Sequence, residues 1–199
     1  MVYLTALASG LRPSEVIPTD PIRLAQRGSE DWEPGDHVSA TQLSVRDALV
    51  YSSNTASVRV GQRAGIERVI DQAQAMGIST DLPHYPSLFL GAGDVVPVEL
   101  VAAYATFGNG GHTMKPHLIT RIEDAGGRVL YERPQEAGVS AVDPRLGFLV
   151  LDMMRDVVRR GTGTRAALPG IPVAGKTGTT NDSKDLWFIG LTPKRVAGV

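Results

Sequence analysis

Cysteine is absent from all 199 residues, which excludes disulfides and thiolate metal sites. Long apolar runs are missing as well. No stretch approaches the roughly 18 uninterrupted apolar residues of a spanning helix, and the first residues lack the basic start of a secretory leader. Charge of one sign is scarce: 20 basic side chains against 21 acidic ones leave a net charge of −1. Electrostatics therefore give no reason to expect nucleic acid or an anionic membrane surface as partner. The carboxylates show no pairing pattern for glycoside chemistry. His112 and His117 flank a Lys-Pro turn without an acidic or thiol neighbour, so they suit a surface loop better than a metal centre. No metal and no other cofactor is expected. What is there is ordinary globular material, 42% apolar and 21% charged, long enough for one domain.

Glycine, proline and capping residues punctuate this material into a coarse map. Residues 1–9 read as a helix stopped by Gly10, with no capping side chain ahead of it. Residues 195–199 read as the opening of a strand, so the expectation is that both ends are cut from a longer chain. Residues 11–41 hold many prolines and polar residues without a sustained period and read as loop. The stretch 42–111 is helical. Ser44 caps one helix through about Tyr51, a second runs from Asn54 to about Ala64, and Ile66, Val69, Ile70 and Ala73 share the face of a third. Pro97 opens a fourth, reaching Phe107.

Residues 112–142 carry a hairpin signal, with 117–123 and 128–132 flanking Asp124-Ala125-Gly126-Gly127. In 143–199, Asp143-Pro144 opens the strongest helix, with Leu146, Leu149, Val150, Met153 and Val157 on one stripe and Arg159-Arg160 at the negative end of its dipole. Two strands follow, 173–180 and 186–192, joined by a polar turn at 181–184. Trp187 and Phe188 alternate across the second strand, which sends them to opposite faces of the sheet. The class is α+β: an antiparallel sheet packed with helices.

Two short motifs carry the chemistry. Lys176-Thr177-Gly178-Thr179-Thr180 places an ammonium, hydroxyls and a glycine-relieved backbone edge along one strand. With no side chain at Gly178, a substrate backbone can lie against that edge as an added strand. Thr177 and Thr179 share a face, where two hydroxyls suit a carboxylate whose charge Lys176 balances. The Thr179 amide is a candidate oxyanion donor. Far upstream, Ser52-Ser53-Asn54 puts a hydroxyl and a carboxamide at a corner between two helices. Alone, each motif has a plainer explanation: the strand motif as a polar edge protected by a lysine, the serine-asparagine pair as helix caps.

Together they resemble the second and third signatures, S-x-N and K-T-G, of the serine acyl-transfer enzymes that penicillins acylate. The first signature, S-x-x-K, is missing, since the four lysines are preceded three places earlier by His112, Val173, Asn181 and Leu191. The run from Gly175 to Pro193 is similar throughout to the third motif and following strand of class A (bifunctional) penicillin-binding proteins. Gly161-Thr162-Gly163-Thr164 and the segment Ala102 to Gly111 resemble two further landmarks of that family. Trp32-Glu33-Pro34-Gly35-Asp36-His37 keeps the family's proline but departs from its usual asparagine-tyrosine pair.

The resemblance covers nearly the whole chain and implies that 1–199 is a partial penicillin-binding transpeptidase domain, with an incomplete version of the fold shared with serine β-lactamases. It places the missing serine and lysine just before Met1. It implies that Ser52 relays a proton, that Asn54 orients the substrate amide, and that Lys176, Thr177 and Thr179, with Gly178 giving room, hold the carboxylate. The implied partners are peptidoglycan stem peptides and β-lactams. The implied parent is a membrane-anchored protein with a glycosyltransferase domain, on the extracytoplasmic face of the bacterial inner membrane. A D,D-carboxypeptidase or β-lactamase relative, and a noncatalytic β-lactam-binding module, stand as alternatives. Acyl acceptor and oligomeric state are left open.

Overall fold

The structure is a computed structural model that describes residues 1–25, 31–180 and 185–199. The polar turn expected at 181–184 lies outside the described residues. In chain order the elements are helix α1 (Val2–Ala8), strands β1 (Val16–Pro18) and β2 (Gln42–Ser44), and helices α2 (Val45–Val50), α3 (Asn54–Ala64), α4 (Ile66–Ala75) and α5 (Pro97–Ala105). A hairpin of β3 (Arg121–Glu123) and β4 (Val129–Glu132) follows, then α6 (Pro144–Arg160), β5 (Ala174–Thr179), β6 (Leu186–Leu191) and β7 (Val196–Gly198). All strand pairing is antiparallel: β1 with β2, β3 with β4, and β5-β6-β7 in that order.

Local chemistry explains most boundaries. Ser44 caps α2 by accepting from the Asp47 amide at 3.0 Å. Asp143 does the same for α6 through the Arg145 amide, with Pro144 at the first helical position. The apolar stripe of α6 is wider than its sequence spacing suggests. Val150, Met153 and Val157 are buried as expected, Met154 and Val158 join them, and Leu146 and Leu149 are only half-buried. Both flanks of this helix find partners, because α6 packs on β5 and also against α1 and α2. The hairpin strands are shorter than the expected runs, and every residue of β3 and β4 is exposed. With nothing packed on them, only the turn end pairs, where Asp124 accepts from the Gly126 and Arg128 amides.

The core lies where helices meet sheet. Leu4, Val45, Val50, Val58, Val60, Met153 and Val157 are fully buried, and a hydroxyl chain ties α1 to the start of α3. Ser57 Oγ donates to the Ser53 carbonyl at 2.6 Å, which leaves Tyr3 to donate to Ser57 Oγ at 2.8 Å.

A charged lattice binds α2 to α6. Arg46 reaches Asp152 at 2.7 Å and Asp156 at 3.1 Å, while Arg160 reaches Asp47 at 2.8 Å and Asp156 at 3.1 Å. Arg160 also lies 5.8 Å over the Tyr51 ring. The arginine pair therefore does more than complement the helix dipole: Arg160 fastens the end of α2 to the end of α6. Immediately after α6 the chain turns so tightly against α2 that the Thr162 amide donates to the Val50 carbonyl at 3.3 Å. A Cβ on Gly161 would sit 2.8 Å from Val50 Cγ1 and collide with the Val50 carbonyl oxygen. Gly161→Ala is expected to cost about 1–3 kcal/mol by overpacking, a fall of roughly 2–10 °C in the melting temperature. Thermal unfolding followed by circular dichroism measures it, and an unchanged midpoint would contradict the contact.

Candidate active site

Ser52 stands between α2 and α3 with φ 56°, the left-handed region, and is the one non-glycine residue there among the described residues. A serine held so costs on the order of 1–2 kcal/mol. The geometry turns the chain sharply enough to aim its hydroxyl away from both helices. Ser53, not Ser52 or Asn54, is the helix cap: its Oγ accepts from the Ala56 amide at 3.3 Å. The plain capping explanation thus accounts for the middle residue and leaves the outer two free for other work.

Across the groove, Lys176 extends from β5 and its Nζ donates to Ser52 Oγ at 2.8 Å, over a sequence separation of 124. The same ammonium donates to the Thr177 carbonyl at 2.9 Å. Burial lowers the Lys176 pKa from 10.5 to about 8, because the charged form loses water that two neutral acceptors do not fully replace. Register places Lys176 on the face of Ile189 and Trp187, and Thr177 and Thr179 on the face of Phe188 and Leu186. Trp187 and Phe188 therefore do occupy opposite faces, and both are half-buried. Thr177 shares a 2.8 Å hydroxyl bond with Thr162, from the turn after α6.

Backbone polarity along β5 follows from its neighbour. Phe188 exchanges both hydrogen bonds with Val199, each at 2.9 Å, so its backbone groups face β7. Thr177, paired opposite Phe188, must then direct its N–H and C=O away from β6, and Thr179, two residues on, does likewise. No strand among the described residues pairs with that outer edge of β5. Gly178 and Thr179 are exposed on it. The site thus has a cation and a hydroxyl in contact, two further hydroxyls at its lip, and an open row of backbone donors and acceptors.

Two neighbours escaped the sequence motifs. Asp36 Oδ2 accepts from Ser53 Oγ at 2.6 Å, Thr55 Oγ1 at 2.7 Å and the Thr55 amide at 2.9 Å, while its Oδ1 accepts from the Val38 amide at 3.1 Å. Desolvation pushes this carboxyl up, but the bonds from Ser53, Thr55 and Val38 outweigh it, and its pKa falls below the ordinary value. His37 Nε2 donates to the Tyr51 carbonyl at 2.9 Å, and Asn54 Nδ2 donates to the Gly35 carbonyl at 2.6 Å. A Pro-Gly turn followed by an acid was the one local signal at this loop. Its partners lie 14 to 19 residues away, beyond any helical or strand period. Among the described residues no group of three or more His, Cys, Asp or Glu is placed to hold a metal ion, and no helix is long and apolar enough to cross a membrane.

Comparison with known proteins gives this geometry a lineage. Penicillin-binding protein 1A of Neisseria flavescens is 38% identical over 208 residues, an alignment that takes in 100% of this chain and 26% of that protein. The crystal structure of penicillin-binding protein 1A from Haemophilus influenzae superposes with a TM-score of 0.88 at 26% identity, covering 96% of this chain and 34% of that one. The imipenem acyl-enzyme complex of penicillin-binding protein A from M. tuberculosis gives 0.82 at 25%, covering 96% and 49%. The chain spans about a quarter of the length of the penicillin-binding proteins 1A that it matches. A family model described as the penicillin binding protein transpeptidase domain matches residues 1–198, and the chain belongs to that family.

Proposed function

We propose that this chain forms the greater part of the acyl-transfer site of a penicillin-binding peptidoglycan D,D-transpeptidase. The observation that carries the proposal is the 2.8 Å contact of Lys176 Nζ with Ser52 Oγ beside an unpaired, glycine-relieved strand edge. A serine hydroxyl from an S-x-x-K motif, which this sequence does not contain, attacks the penultimate carbonyl of a D-Ala-D-Ala terminus. The C–N bond breaks, the serine proton passes by way of Ser52 to the departing amine of D-alanine, and an acyl-serine ester forms. An amine on a neighbouring stem peptide then attacks that ester, releasing the serine and completing the cross-link.

Each residue has a task that its placement permits. Thr177, Thr179 and the Lys176 ammonium hold the terminal carboxylate, and the outward Thr179 amide stabilises the oxyanion. Asn54 orients the substrate amide with the part of its carboxamide not bonded to Gly35. A β-lactam, as a mimic of the D-Ala-D-Ala terminus, takes the same place. The whole protein is membrane-anchored, carries a glycosyltransferase domain and works on the extracytoplasmic face of the inner membrane. Removal of the nucleophile from a comparable hydrolase unit costs on the order of 10⁶ in turnover, so the chain alone is inactive.

Fluorescent penicillin tests this directly: no covalent band is expected on the 199-residue chain, and a band is expected on the chain extended upstream through an S-x-x-K motif. Labelling of the unextended chain, or none on the extended one, would overturn the proposal. The Lys176 pKa of about 8 sets a pH limb. Below it the ammonium can balance a carboxylate, and above it the amine is neutral. The second-order acylation rate of the extended chain should therefore fall as pH rises through about 8, and Lys176→Arg, which stays charged, should lose that limb. Ser52→Gly and Ser52→Ala both delete the hydroxyl and are expected to slow acylation by roughly 10²–10⁴. Thermal melts should nonetheless separate them, the glycine variant being the more stable by about 1–2 kcal/mol because only alanine retains the left-handed strain.

A further inference from the structure

The loop 34–38 grips the serine corner at every residue around Ser52 and leaves Ser52 itself untouched. His37 holds the Tyr51 carbonyl, Asp36 holds the Ser53 hydroxyl and both the amide and hydroxyl of Thr55, and the Gly35 carbonyl takes the Asn54 carboxamide. The Tyr51 carbonyl belongs to the peptide plane whose rotation about the Ser52 N–Cα bond is the φ of Ser52. His37 therefore pins the plane entering Ser52, and Asp36 pins the helix start leaving it. We infer that Asp36 and His37 are positioning residues, holding the left-handed Ser52 backbone so that its hydroxyl meets Lys176. A serine relaxed out of that conformation would carry its Cβ off line, and the hydrogen bond to Lys176 Nζ would be lost.

The chemistry of the two residues fits this task. The Asp36 side chain is only 8% exposed, and a carboxylate kept charged in so dry a place is held by its donors, all of which come from the corner or the loop itself. His37 is exposed on its outer side, at 61%. Its Nε2 carries a proton in this contact, because the Tyr51 carbonyl can only accept.

The inference deepens the proposed function, and its test reads the corner without requiring acyl transfer. In the chain labelled with ¹³C,¹⁵N-lysine, the Lys176 side-chain shifts are followed against pH beside those of Lys115 and Lys194, for the unsubstituted protein and for Asp36→Ala, Asp36→Asn and His37→Ala. Release of Ser52 opens the ammonium to water, so Lys176 should titrate higher in Asp36→Ala and His37→Ala, moving from about 8 toward 10.5, while the Lys115 and Lys194 signals serve as internal controls. Asp36→Asn, which still offers one carbonyl oxygen to Ser53 and Thr55, should restore part of the original value. Loss of the Asp36 charge would by itself move Lys176 down, so a rise is not a charge effect. A rise in either alanine variant while it remains folded by thermal melt supports the inference. If Asp36→Ala does not fold, His37→Ala and Asp36→Asn decide. An unmoved Lys176 in every folded variant overturns it, and a failure of penicillin labelling leaves this reading intact.

Discussion

An ammonium set into the seam between a sheet and a helical layer is the constraint around which this molecule is arranged. Lys176 leaves water for a place where its partners are a hydroxyl and a carbonyl, neither of which carries a full opposite charge. The cost appears as a depressed pKa rather than as a buried ion pair. An ion pair with a resident carboxylate would have satisfied the cation more completely. It would also have occupied the position assigned to the carboxylate of the proposed substrate. The site is left short of one negative charge, which the carboxylate of the proposed substrate would supply.

Holding that arrangement requires strain, and the strain is opposed from two sides. Ser52 sits in a backbone conformation that serine disfavours. Loop 34–38 grips the residues beside it, and Arg160 braces Tyr51 from the end of α6. The same α6 terminus leads into Gly161 and Thr162, whose amide meets Val50 and whose hydroxyl meets Thr177. The corner that presents Ser52 and the strand that presents Lys176 are thus tied together by two routes, one through their own hydrogen bond and one through the turn after α6. Packing of α6 on β5 with Met153 and Val157 at its centre supplies the rigid base for both.

Some of this was legible in the chain before any coordinate. Ser44 and Asp143 announced their helices because capping is local, a side chain bonding an amide two or three residues on. The stripe on α6 and the alternation of Trp187 and Phe188 were equally readable, since helical and strand periods are properties of short segments. The hairpin arms were overread: alternation alone cannot say whether a face will be covered, and the uncovered residues 117–119 stayed out of the pairing, which ends where the Arg133 amide donates to the Thr120 carbonyl. Loop 34–38 passed as connecting material because its partners lie outside any local period.

By itself the sequence determined the class of elements, the two motifs and the lack of an S-x-x-K motif. Only the tertiary structure decided that Ser53 caps while Ser52 faces the groove, that Thr177 and Thr179 turn their backbone outward, and that Asp36 and His37 bond the residues on either side of Ser52. The reason is physical. Caps and periods are set by bonds within a turn or two of chain, whereas the meeting of positions 52 and 176, and the grip of a loop on a corner, exist only once the core has closed and fixed which distant surfaces touch.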